Sequence, residues 1–198
     1  MGRFAQENGG GSDFAPAPVG NHAGRCIRLI DLGTQTGEYQ GKPITRNQVM
    51  VVWELPDELM EDGKPFTVSK FYTNSLHEKA ALRADLVAWR GRDFTSEELG
   101  KFDLESILGA PCLVNVVHTE RGKAKVTGVA KLPKGMKIAD AVNPLFSFWL
   151  DEFDAAAYET LGKGLQKIIA QSPEYRAATS SRSQPSGIPE PEMEDVPF

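Results

Sequence analysis

Few residues in this sequence could do covalent or metal chemistry. The three histidines, His22, His77 and His118, are scattered, and Cys26 and Cys112 form no metal-type pair. No phosphate-binding P-loop pattern is present. Asp57, Glu58, Glu61 and Asp62 cluster as the acids of a two-metal nuclease would. Neighbouring proline and glycine leave that cluster poorly preorganised, so it reads as a solvated loop. No catalytic residue, metal ligand or cofactor is expected.

The remaining chemistry is non-covalent: cations for phosphates and rings for bases. Non-specific binding of single strands combines a basic groove with aromatic stacking platforms. Candidates for such a groove recur along the strand-like segments. The first strand offers Arg25 and Arg28, and the loop after it offers Tyr39 and Lys42. The second strand offers Arg46 and Trp53, and the third offers Lys70, Phe71 and Tyr72. In the fifth, Lys123, Lys125, Thr127 and Lys131 share one face, while Ala124, Val126, Gly128, Ala130 and Leu132 share the other. Arg121 and Lys134 extend the basic row. A lysine row is as readily a solvated strand face, and the aromatics divide by parity. Phe71 and Tyr72 point to opposite faces, so one of them belongs to the core. Trp53 has the parity of Val49 and Val51, which suits burial. Trp89 lies on a helical apolar stripe and reads as core. Arg90-Gly91-Arg92 could hold phosphate or form a basic helix end favoured by the dipole.

Net charge is −5, but the average hides a segregation. Residues 23–137 carry 17 Lys/Arg against 15 Asp/Glu, a balance of +2. Arg121 to Lys137 holds six basic residues and no acid, whereas 183–198 holds four acids and no Lys or Arg. The pattern is an acidic tail on a weakly basic body. With 198 residues, 40% of them hydrophobic, the chain can bury a core. No apolar run is long enough to span a membrane. The start has no secretory pattern, and the two cysteines read as buried free thiols, so the expected compartment is the cytoplasm.

These groups need a frame. Residues 1–22, rich in Gly, Ala and Pro, read as a disordered arm. Strands are expected at 25–32, 45–55 and 66–73, with a loop from Thr34 to Pro43 and a turn at Asp62-Gly63. A helix follows with a Ser75/Glu78 capping box, a stripe of Leu82, Leu86 and Trp89, and a stop at Gly91. Thr95 and Glu98 repeat the box, and Asp103 caps a turn ending at Gly109. Strands at 112–118 and 124–132 meet at Arg121-Gly122-Lys123. Three strands, a helical segment and two strands give a mainly β fold with helical additions: an OB-fold-like five-stranded barrel over 23–137. Residues 138–172 form an appendage with a helix from Asp154 to about Gln171, packed on the barrel. Residues 173–198 read as a disordered linker and tail.

The tail ends Glu194-Asp195-Val196-Pro197-Phe198. These residues resemble the tail tips of bacterial single-stranded-DNA-binding proteins, acids followed by Ile-Pro-Phe, and the acidic tails of their phage counterparts. This tip has two adjacent acids and Val for Ile. Phe198 offers a ring and a terminal carboxylate on one residue, and Pro197 limits the ordering cost. The resemblance implies coating of single-stranded DNA in replication, recombination and repair, and recruitment of replication and repair proteins through the tip. It implies no enzyme activity and, for a phage-encoded chain, the bacterial host cytoplasm. The long 75–109 helical stretch and the 138–172 appendage depart from the compact bacterial form. They count against its tetramer and leave a homodimer open. The competing readings are a protein-interaction adaptor with a barrel that binds no DNA, and a metal-dependent nuclease.

Overall fold

The computed structural model describes residues 15–180. Strands β1 (Gly20–Tyr39), β2 (Lys42–Leu59) and β3 (Pro65–Thr73) are followed by helices α1 (Ala81–Arg90) and α2 (Ser96–Lys101) and a single 3-10 turn at Leu104–Ile107. Next come β4 (Pro111–His118), β5 (Ala124–Ala130) and the short β6 (Phe146–Phe148). Helices α3 (Ala155–Thr160), α4 (Lys163–Ile169) and α5 (Pro173–Ser180) complete it. The sheet order is β3-β2-β1-β4-β5, all antiparallel, with β6 parallel to β1. The sheet is not closed into the expected barrel, because no ladder joins β3 to β5.

Strand β2 dictates the layering. Val49 to Leu55 is buried at every position, so both faces of the strand must be covered. On one face Val49, Val51, Trp53 and Leu55 pack with Leu82, Leu86 and Trp89 of α1 and Val114 and Val116 of β4. On the other, Met50 and Val52 join Ile27, Ile30 and Leu32 of β1 under Phe148, Leu150, Leu161 and Ile169. β1 serves both cores because register shifts at Cys26/Arg28 and Asp31/Gly33 leave Ile27 and Leu32 as extra residues. Gly33 follows the second bulge at φ +68°, and a Cβ there would lie 2.6 Å from Ser172. Only glycine admits that approach. Ser172 in turn accepts from the Tyr175 amide and starts α5 at Pro173, while Glu174 takes the Thr34 amide at 2.9 Å.

Several local expectations hold. Leu82, Leu86 and Trp89 are buried, Gly91 ends α1 in the left-handed region, and Thr95 with Glu98 forms a complete capping box. Asp103 caps the 3-10 turn, and Cys26 and Cys112 are buried free thiols. Burial pushes the Cys26 thiol up to about 12.

Other elements differ. The expected loop from Thr34 to Pro43 is mostly strand: β1 and β2 pair out to Tyr39↔Lys42, and the turn is only Gln40-Gly41, both at positive φ. Gly37 pairs with Ile44 within the arm. Gly20 to His22, assigned to the N-terminal arm, are strand residues opposite Val116 to Val114. Ala17 is buried, and its carbonyl accepts from His118 at 2.8 Å. Ser75 accepts from the His77 amide at 3.2 Å, and α1 begins at Ala81 with no side-chain cap. The helix expected from Asp154 to Gln171 breaks at Leu161-Gly162 into α3 and α4, and α5 occupies the start of the expected linker. The glycine that weakens helix 154–171 is where it divides.

Glu54 is the polar exception within the doubly buried strand. It is fully buried, and its carboxylate accepts from the Val142 amide at 2.7 Å, the Asn143 amide at 2.8 Å and Asn143 Nδ2 at 2.6 Å. It therefore anchors the connection between β5 and β6. Glu54→Ala leaves these donors without an acceptor and should cost about 2–4 kcal/mol in denaturant unfolding. Amide exchange should quicken first at Val142 and Asn143. Unchanged stability and exchange would show that the loop is held elsewhere.

Candidate nucleic-acid interface

The edge strands β3 and β5 meet without pairing. Lys70 bridges them: its ammonium lies 2.6 Å from Asp85 of α1 and 3.4 Å from the Thr127 carbonyl of β5. Asp85 also accepts from the Tyr72 hydroxyl at 2.6 Å. Burial, then this bond to a carboxylate, raises the Tyr72 hydroxyl pKa far above its ordinary value. Lys70 and Tyr72 therefore fasten α1 to β3, with Tyr72 buried and Lys70 partly exposed. Of the adjacent aromatic pair, Tyr72 is core and Phe71 is 50% exposed, as their parity requires.

Three more expected contacts are structural. Trp53 is fully buried, with its ring centroid 6.2 Å from that of Trp89. Arg25 donates to the carbonyls of Gly109 at 2.8 Å and Ala139 at 3.1 Å, which ties β1 to the β5–β6 connection. Arg28 is half-buried, with its guanidinium 5.7 Å from the Phe146 ring centroid. The sequence placed all three correctly on strands. It could not reveal that β6 and α3–α5 cover the β1–β2 face on which an OB-type site would lie.

Arg121, Lys123, Lys125 and Lys131 are exposed, as are Lys42 and Arg46 on the β1–β2 arm. The Tyr39 side chain lies outside the described residues, as does the tip Glu194, Asp195, Val196, Pro197 and Phe198. The even alternation read along β5 fails. A register shift sets Asn115 opposite Gly128 but Val116 opposite Val126, so Val126 and Val129 face the core and Ala130 is exposed. Lys131 thus leaves the row of Lys123 and Lys125 and sits beyond the strand, its stem against Gly91 at the end of α1.

What stays exposed along the edge strands is narrower than the sequence set. Phe71 stands on the outer side of β3, beside the seam that Lys70 holds. Lys125 lies across the seam on the outer side of β5, opposite Val117, with Arg121 and Lys123 at the turn beyond. A polar patch continues it. Asn115 donates to Asn21 at 2.8 Å, and Thr127 donates to Asn115. Asn21 and Asn115 were missed as candidates. The available signal was Asn115, one polar residue inside the apolar run Leu113 to Val117. Past the end of the β2–β3 ladder, at Asn47 and Asn74, a groove of about 1020 Å³ is lined by Asp31, Asp103, Glu105, Asp151, Glu152 and Glu174, with no Lys or Arg. Such a wall repels phosphates.

Among the described residues no three His, Cys, Asp or Glu side chains are grouped to hold a metal ion, and no helix is long and apolar enough to cross a membrane. No protein-family model matches the sequence, and comparison with curated proteins finds no match.

The division between core and surface aromatics is directly measurable. Trp53→Ala should cost about 3–5 kcal/mol of stability, whereas Phe71→Ala should stay within about 0.5 kcal/mol. Equal losses in chemical denaturation would mean that Phe71 is a packing residue. A second expectation concerns Glu98, whose carboxyl is held down to about 2, first by the bond from Arg92 and then by that from the Thr95 amide. A depressed folded-state pKa stabilises above the unfolded value and loses that effect as pH falls towards 2. The melting temperature of Glu98→Gln should therefore trail the parent near neutral pH, and the gap should close between about pH 4.5 and 2. A gap independent of pH would assign the role of Glu98 to packing.

Proposed function

We propose that the chain is a single-stranded-DNA-binding protein without catalytic activity, acting on strands exposed in replication, recombination and repair. The observation that carries the reading is an exposed ring, Phe71, on the edge strand β3, together with exposed cations, Arg121, Lys123 and Lys125, on the edge strand β5 and its turn. A ring for stacking and cations for the backbone are the two parts that sequence-tolerant binding of single strands needs. The strand order is consistent with it: β3-β2-β1-β4-β5, with β3 and β5 abutting but unpaired, is the order that opening an OB-type barrel at one seam would leave. The covered β1–β2 face shifts the path of the strand towards that seam and the β4–β5 hairpin. Lys42 and Arg46 on the projecting arm would meet the backbone where it leaves the sheet. The acidic tail ending in Phe198 supplies the recruiting peptide for replication and repair proteins.

Fluorescence anisotropy with a labelled oligonucleotide tests this. Single strands should bind more tightly than duplex, with log affinity falling against log salt by roughly 0.7 per phosphate neutralised. Phe71→Ala should weaken binding by about 1–3 kcal/mol. Lys123→Ala with Lys125→Ala should lower the salt slope by about one to two while leaving stability unchanged. Equal affinity for duplex, or binding indifferent to salt and to all three substitutions, would leave the adaptor reading in its place.

A further inference from the structure

The acidic groove is more than a charged wall. Its lining includes the rings of Phe102, Trp149 and Phe153, all partly exposed, with Leu76 and Ala178. Among the described residues none of its six carboxylates forms an ion pair. Burial first, and then the charges of Glu174 and Asp151, raise the Asp31 carboxyl pKa, so the negative field of the groove is not relieved from within. Partly exposed rings beside uncompensated carboxylates are complementary to a short segment that carries cations and an apolar side chain together.

The chain carries such a segment on another part of its surface. Between β5 and β6, Pro133-Lys134-Gly135-Met136 makes a turn in which the Met136 amide donates to the Pro133 carbonyl at 3.1 Å, with Gly135 at φ +88°. Lys134, Met136 and Lys137 are exposed, Met136 by 47%. Residues 131–137 hold three lysines and no acid, and neither Lys134 nor Lys137 forms an ion pair among the described residues. The other exposed large apolar side chains of the described residues have a different setting. Leu59 and Leu99 lie beside glutamates, and the Lys70 next to Phe71 is held by Asp85. Val19, Val142 and Leu145 have no Lys or Arg within four residues. The turn lines no part of its own groove. We propose that copies of this chain join through these two surfaces, the Pro133–Met136 turn of one copy entering the acidic groove of the next. Met136 meets the Phe102 and Trp149 rings, a contact that a flexible thioether suits. Lys134 and Lys137 face Asp151 and Glu152, which are exposed at the groove. The contact joins two different patches and is heterologous. It uses neither Phe71 nor the Lys123 and Lys125 face, and it does not rest on DNA binding.

Sedimentation velocity of the full chain, without DNA, tests this. The weight-average mass should rise with protein concentration in low salt and fall to that of the monomer as salt screens the contact. Lys134→Glu with Lys137→Glu sets acid against acid, and Asp151→Lys with Glu152→Lys sets base against base. Each double variant alone should associate at least about tenfold more weakly than the parent. An equimolar mixture of the two should regain association, because the intact groove of the first meets the intact turn of the second. Met136→Glu, one change at the exposed tip of the turn, should weaken association in the same way. A full chain that stays monomeric at every concentration in low salt would overturn the proposal and leave the groove to a basic segment of another protein. So would association that either double variant or Met136→Glu retains in full. Failure of the mixture to recover, with both double variants melting at the temperature of the parent, would overturn it as well.

Discussion

The fold depends on one constraint: a seven-residue stretch of β2, Val49 to Leu55, that must be dry on both faces. A strand with an alternating pattern needs one cover; this one needs two. At about 1.5–3 kcal/mol for each fully buried large apolar side chain, neither face could be left to solvent. One cover is α1 with β4 and β5, and the other is β6 with α3 to α5. The appendage is therefore part of the same domain, since without it Met50, Val52, Ile27, Ile30 and Leu32 would form an exposed apolar surface. The bulges in β1 follow from the same demand, because a strand of strict period two could not give Cys26 to one core and both Ile27 and Ile30 to the other.

Covering the second face has a functional consequence. The outer surface of β1 and β2 is where an OB-type sheet would receive a nucleic acid, and here it is spent on packing. Expected contacts on those strands accordingly became fasteners. Arg25 holds the Gly109 and Ala139 carbonyls, Trp53 meets Trp89, and Glu54 holds the connection that leads to β6. What remains open is the margin of the sheet, where Lys70 and Tyr72 converge on Asp85 and set β3 beside β5. Asp85 thus acts at a distance from the surface. By fixing the two side chains that flank Phe71, it leaves that ring with the outward direction.

Local signals in the sequence are legible because they rest on backbone chemistry. Gly91, the Thr95/Glu98 box, Asp103 and Asp62-Gly63 each satisfy orphan donors or permit a left-handed residue, and each does so where the pattern placed it. The same logic misled at Ser75, whose hydroxyl found the His77 amide two residues on in place of a helix start. Gly37 and Gly41 together give the β1–β2 arm the composition of a loop. Only Gly41 sits in the turn, and Thr36, Thr45 and Ile44 favour strand beside it. For the candidate site, parity separated Phe71 from Tyr72 and flagged Trp53, but no periodicity reveals a bulge. The shift at Asn115/Val116 is what removed Lys131 from the lysine row, and it depends on register between two strands rather than on either alone.

The acidic net charge is compatible with a nucleic-acid surface because of where the acids sit. Glu54 and Asp85 are consumed by internal donors, and Glu98 by two guanidinium groups. Asp31, Asp103, Glu105, Asp151, Glu152 and Glu174 face one groove, on the side of the molecule shared by α5 and the 3-10 turn. The acids of residues 190–195 stand at the end of the chain. Among the described residues, none of these acids lines the pocket at the β4–β5 hairpin, where Glu120 is the one acid beside Arg121, Lys123 and Lys125. Beyond a Debye length of about 8 Å at physiological salt, an exposed charge contributes little, so the sign of the local face decides what it attracts. A phosphate chain approaching the seam meets that local field.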